Sequence, residues 1–192
     1  MENRYNLFYY RKRLVTIGVT LILIFIVSYF FIHRSQKTII DPAFGKYIEA
    51  YTAGVISKES AIRIKLAGDV QVTHGQNEEL PDDVFDFSPS VKGKAYWVDA
   101  RTIEFRPEEK LEPGQVYEAE FNLSRIIDVA DNYKNFDFDF QTVKPDFTVS
   151  FTGLKTATNT SLDKMKLGGI IQTADIEEPA SIEKLISANY IT

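Results

Sequence analysis

The chain has 192 residues, 44% hydrophobic and 26% charged, which leaves room for one or two packed domains. It contains no cysteine, which excludes disulfides, thiolate metal sites, a cysteine nucleophile and cysteine lipidation together. The net charge of −5 divides into +5 up to Lys37 and −10 beyond it, and an acidic body lacks the basic footprint that nucleic-acid binding requires.

Residues 14–32, from Leu14 to Ile32, read LVTIGVTLILIFIVSYFFI without a charge. As a helix they would extend about 28 Å, close to the roughly 30 Å hydrocarbon core of a bilayer. Fourteen of them are Leu, Ile, Val or Phe, and insertion is favoured by on the order of 5 kcal/mol. A buried core helix would keep a polar stripe, and this segment has none. The pattern therefore predicts a single transmembrane helix over 14–33, with the lipid bilayer as partner. Arg4, Arg11, Lys12 and Arg13 would hold residues 1–13 in the cytoplasm and place the later domains outside it. A cleaved signal peptide is the rival reading. It fits less well because the apolar run is long and ends in Tyr29-Phe30-Phe31-Ile32-His33-Arg34, a poor cleavage site.

Residues 34–58 contain Pro42, Gly45 and Gly54 among intermittent apolar positions and read as a juxtamembrane tether. A run of short strands follows over 59–144. At 61–67, Ile62, Ile64 and Leu66 alternate with Arg63 and Lys65, so one face is expected to be buried. Residues 84–88 form a second strand. Residues 94–98 and 102–106 face each other across Asp99-Ala100-Arg101, with Ile103 and Phe105 as partners for Trp97, the sole tryptophan. At 116–123 Tyr117, Ala119, Phe121 and Leu123 share a face, and at 136–143 Phe136, Phe138 and Phe140 do the same. Six strands in about 85 residues without an amphipathic helix predict an all-β fold, an Ig-like antiparallel β-sandwich. Leu111-Glu112-Pro113-Gly114-Gln115-Val116-Tyr117 predicts a tyrosine corner, with the Tyr117 hydroxyl bonded to nearby backbone.

Beyond Lys144-Pro145 a second β unit begins over 145–192. Phe147, Val149 and Phe151 mark one strand, and Met165, Leu167, Ile170 and Ile171 another. Ile182, Leu185 and Ile186 after Pro179 predict a short helix. So few strands bury too little surface to stand alone, so this unit is expected to be incomplete and the chain to be the start of something longer.

The segments YIEAYTAGVISKESAIRIKL, FSPSVKGKAYWVDARTIEFRPEEKLEPGQVYEAEFNL and KLGGIIQTAD resemble the N-terminal macroglobulin-type domains of bacterial alpha-2-macroglobulins. The resemblance covers roughly residues 47–143. It implies a large envelope-anchored chain of stacked sandwiches that entraps proteases through a bait segment and a Cys/Gln thioester. No cysteine is present for the thioester and no bait segment is recognisable, so none of that chemistry maps onto a residue here. Family members are commonly lipoproteins, whereas this chain reads as helix-anchored.

Sites of other kinds are thinly represented. His33 and His74 have no companion ligand nearby in sequence. Asp128, Asp131 and Asn132 could ligate calcium but lack the regular spacing of a calcium loop, and a solvated turn explains them. Asp137 and Asp139 read as the wet face of a strand that discourages edge pairing. Glu108-Glu109-Lys110 reads as a solvated turn, and Asn122-Leu123-Ser124 and Asn159-Thr160-Ser161 as chance matches to the glycosylation pattern. No nucleophile elbow, phosphate loop or zinc-protease motif occurs. No catalytic, cofactor-binding or metal residue is assigned. The expectation is a non-catalytic spacer: the membrane-anchored N-terminal portion of an alpha-2-macroglobulin-like extracytoplasmic protease inhibitor. Its partners would be downstream domains and, through the whole protein, proteases. Two rival readings are an envelope adhesion or ligand-binding module, and the anchored spacer of a downstream enzyme.

Overall fold

A computed structural model describes residues 22, 40–70, 75–158 and 161–187. Apart from Ile22, all of these belong to the unit Thr38–Thr192. Eight strands build the first part: β1 (Ile48–Tyr51), β2 (Gly54–Ile56), β3 (Ile62–Leu66), β4 (Phe85–Ser88), β5 (Gly93–Trp97), β6 (Thr102–Pro107), β7 (Val116–Asn122) and β8 (Asn135–Thr142). They form two four-stranded sheets, in the orders β1-β3-β6-β5 and β2-β8-β7-β4. All their pairings are antiparallel except β2 with β8, which is parallel. This is the strand arrangement of an Ig-like sandwich, whose first strand switches from one sheet to the other.

Period-two alternation decides which side chains fill the space between the sheets. Ile62, Ile64 and Leu66 of β3, Trp97 of β5, Ile103 and Phe105 of β6, and Phe136, Phe138 and Phe140 of β8 are all buried. Aromatic rings meet across the layers: Phe87 of β4 lies 4.7 Å from Phe105 of β6, and Tyr51 of β1 lies 5.1 Å from Phe136 of β8. Such offset or edge contacts add to the area these rings bury.

The tyrosine corner forms as the sequence suggests. The Tyr117 hydroxyl accepts from the Glu112 backbone N–H at 3.0 Å, and Gly114 turns the preceding loop at φ +73°, a conformation costly for residues with a Cβ. Thr142, fully buried, completes the corner. Its hydroxyl donates to the Glu112 carbonyl at 2.6 Å and accepts from the Gln115 N–H at 2.9 Å.

Beyond the sandwich, β9 (Phe147–Thr158) and β10 (Ser161–Thr173) pair as a two-stranded antiparallel ribbon, followed by a short helix at Pro179–Glu183. The register pairs Phe151 with Gly169 but Gly153 with Gly168, so β9 carries one extra residue, Thr152. This β-bulge, with Gly153 at φ +100°, moves Leu154 onto the face of Phe147, Val149 and Phe151. Met165, Leu167 and Ile171 of β10 share that face. All seven of these side chains are exposed.

Three expectations change. The single-pass localisation is corrected: among the described residues no helix is long and apolar enough to cross a membrane. The helix at Pro179–Glu183 has five residues, against the roughly 20 that a span needs. Of residues 14–32 only Ile22 is described; the rest of that segment, its predicted orientation and residues 1–13 lie outside the described residues. Second, much of the expected tether is part of the sandwich, because 48–56 supply β1 and β2. These strands pair through backbone with little alternation to reveal them: β1 buries only Ile48 and is irregular at Glu49, and β2 exposes Val55. Third, the last helix starts at Pro179 and ends at Glu183, so Leu185 and Ile186 lie beyond it and are exposed.

Two substitutions test this packing in equilibrium urea unfolding followed by Trp97 fluorescence. Phe138→Ala, which leaves a cavity between the sheets, lowers stability by about 3–5 kcal/mol. Tyr117→Phe, which orphans the Glu112 N–H, lowers it by about 1 kcal/mol.

Candidate functional site

Two places on the folded unit concentrate polar side chains in ways the sandwich alone does not need. The first is the joint where the ribbon leaves the sandwich. Asp175, two residues past β10, reaches back to the turn after β2. One carboxylate oxygen accepts from the Ser57 hydroxyl at 2.6 Å and the other from the Lys58 N–H at 2.8 Å. Lys58, a buried cation, extends its Nζ to Glu177 at 2.6 Å. Lys110 joins the same end by bridging Glu59 at 2.7 Å and Glu178 at 3.3 Å. Partial burial works to raise the Asp175 pKa, but the hydrogen bonds from Ser57, Lys58 and Ile176 outweigh it and hold the carboxyl below the usual aspartate range. These contacts tie the ribbon's exit to the turn after β2, so the joint works as an attachment.

The second place is the outer face of the β4-β7-β8 sheet. Asp86, Glu120 and Asp137 occupy one cross-strand row, and Glu118 and Asp139 are paired in the next. Asn135 donates to Glu120 at 2.8 Å. A shallow groove of about 380 Å³ runs over Asp86, Ser88, Glu118, Glu120 and Asp137. Like charges placed directly opposite each other weaken a sheet. The outer face of the other sheet is built differently. There Glu104, buried, bonds to Arg63 and to Arg106, the latter at 2.7 Å, and Arg106 stacks over Tyr96 at 4.7 Å. Burial works to raise the Glu104 pKa, and the two guanidinium partners more than offset it, so the net shift is downward.

The residues singled out in the sequence are dispersed. Asp131 bonds to Lys134 at 2.6 Å in a short turn, which lowers its pKa, and Asp128 and Asn132 are exposed nearby. Asp137 and Asp139 lie on the outer side of β8, and Ser124 donates to Asn122. His33 and His74 lie outside the described residues, as does most of the second glycosylation pattern. Among the described residues no three His, Cys, Asp or Glu side chains gather as a metal site. Of the expected solvated turn 108–110, Lys110 is instead part of the joint. Ser57, Lys58, Asp175 and Glu177 were not foreseen. The two halves of the joint are 117 to 119 positions apart, and no local pattern links them.

A family model described as the bacterial Ig-like domain matches residues 42–142, more than half of the chain. The chain belongs to the bacterial Ig-like domain family. The match begins at Pro42, so it takes in the β1–β2 segment, and it ends within β8. It supports the Ig-like part of the expected resemblance and does not extend to the alpha-2-macroglobulin family. No curated protein matches. Among solved structures, the chain is similar to L,D-transpeptidase 3 from Mycobacterium tuberculosis bearing a faropenem-derived adduct. The identity is 11% and the TM-score 0.35, over 54% of this chain and 40% of that one. An L,D-transpeptidase from Mycobacterium tuberculosis H37Rv is similar at 12% identity and a TM-score of 0.36, over 54% of this chain and 42% of that one. The chain thus spans well under half the length of these proteins, and a likeness this slight decides neither fold nor activity.

The joint and the acidic face each make a prediction. Asp175 has a depressed folded-state pKa, so its contribution is present above the ordinary aspartate value of about 3.9 and is lost as pH falls through the lower folded value. Hydrogen exchange at the Lys58 amide should show protection at pH 5–7 that disappears under strong acid. Asp175→Ala should remove it at every pH, at a local cost of about 1–3 kcal/mol, with Ile64 still protected. On the acidic face, Glu120→Lys should raise the urea midpoint by an amount equivalent to about 0.5–1 kcal/mol, and should weaken the rise in wild-type stability with added salt.

Proposed function

We propose that this bacterial Ig-like chain is a non-catalytic spacer, and that it serves an alpha-2-macroglobulin-like protein that entraps proteases. The joint at Asp175 carries this reading. A spacer must pass a defined geometry from one β unit to the next. Here a carboxylate and a buried lysine fix the ribbon's exit from the sandwich, where a flexible linker would leave it free. The filled interlayer core supports the same view, since Trp97 and Tyr117 are buried; Tyr96, half-buried on the outer face, lies under Arg106. The alpha-2-macroglobulin assignment rests on the sequence resemblance over residues 47–143.

The coding sequence beyond Thr192 tests the proposal. Further β-sandwich units and a Cys-Gly-Glu-Gln-type thioester segment are expected in the same reading frame. A catalytic domain following directly, or further sandwiches without any thioester segment, would overturn the protease-entrapping role.

A further inference from the structure

Among the described residues, the apolar face of the ribbon is a feature that a spacer role leaves unused. Phe147 and Phe151 are 65% and 71% exposed, and the other five side chains of that face are exposed beside them. Together their side chains present on the order of 600 Å² of apolar surface, so two copies would reach the lower end of specific interfaces, roughly 1,200 Å² in total. That is at the upper end of the largest apolar patch on a typical monomer, roughly 300–600 Å², which is often functional. A two-stranded ribbon is also marginal in water unless a layer covers it. The sandwich of the same chain does not provide that layer, because its core is filled from its own two sheets and all seven side chains remain exposed with the joint formed.

The opposite face is mostly polar. Lys155 and Lys166 lie directly across from each other there, beside Thr148, Ser150 and Gln172, and Ile170 is its one large apolar side chain. The covered face should therefore be the apolar one, and its cover should be apolar and extended.

We propose that this cover is a second copy of the same ribbon, packed face to face in a two-fold dimer. A two-fold interface uses the same patch on both partners and requires that patch to suit itself. This patch does: among the described residues it carries no charged side chain, so a two-fold axis through Phe151 and Leu167 brings no like charges together. Two ribbons stacked in this way make a small two-layered sandwich of four strands, which gives each ribbon the missing layer. The apolar area of two copies reaches the lower end of what such a dimer needs.

The chain has no cysteine, so one introduced thiol reports on one position. Full-length Leu167→Cys, on the apolar face, should form a disulfide-linked dimer under mild oxidation at micromolar concentration. Ser150→Cys, on the opposite face, should do so at least about ten-fold less. Adding Phe151→Glu to Leu167→Cys should lower cross-linking by about the same factor, while Trp97 fluorescence shows the sandwich still folded. Should that double variant fail to fold, the comparison of the two single cysteines decides. A Leu167→Cys chain that stays monomeric, as it would if another protein or further polypeptide were the natural cover, overturns the dimer. Equal cross-linking from both faces, or cross-linking that survives Phe151→Glu in a folded chain, overturns it as well.

Discussion

The fold depends on burying three phenylalanines from one strand. Phe136, Phe138 and Phe140 project from β8 into the space between the sheets, each with 1% or less of its surface exposed. The strand that carries them has β7 on one side and the parallel β2 on the other. Their position fixes the register of β7, which in turn sets β4. Because a strand alternates strictly, one residue of slippage would send all three rings into water and bring Asp137 and Asp139 into the core. The alternative register is therefore too costly to compete.

That same alternation makes most of the sandwich legible from the sequence. β3, β6, β7 and β8 lie within a residue or two of where apolar periodicity puts them, because each has one dry side and one wet side. The tyrosine corner is readable for a related reason: its loop needs a proline, a glycine and a tyrosine at fixed offsets. β1 and β2 are not legible, since what holds them is backbone pairing to β3 and β8, which leaves no mark on side-chain pattern. The joint is hidden more deeply. Ser57 and Lys58 look like an ordinary polar turn, and Asp175 and Glu177 like an ordinary acidic stretch, until the chain between them has folded. The apolar run of residues 14–32 shows the opposite hazard. Composition alone suggested a location, and no membrane-crossing helix is found among the described residues.

The two outer faces of the sandwich treat charge in contrasting ways. On one, Arg63 from the neighbouring strand and Arg106 from the same strand neutralise Glu104. On the other, carboxylates stand in rows with an asparagine as the partner of Glu120. The acidic rows give up some sheet stability, yet they also keep that broad face from pairing with other sheets, a recognised use of charge on β surfaces. In this chain the charge-paired face stabilises and the acidic face protects, so apolar association is left to the ribbon.

The joint also dictates when the molecule becomes complete. Its two halves are separated by 117 positions between Lys58 and Asp175, a loop whose closure is entropically unfavourable until the intervening chain has compacted. Contact between Lys58 and Glu177 is disfavoured until the strands from β3 to β8 have drawn the ends of that loop together. The arm is therefore expected to take its fixed position late, on a body whose strands are already packed.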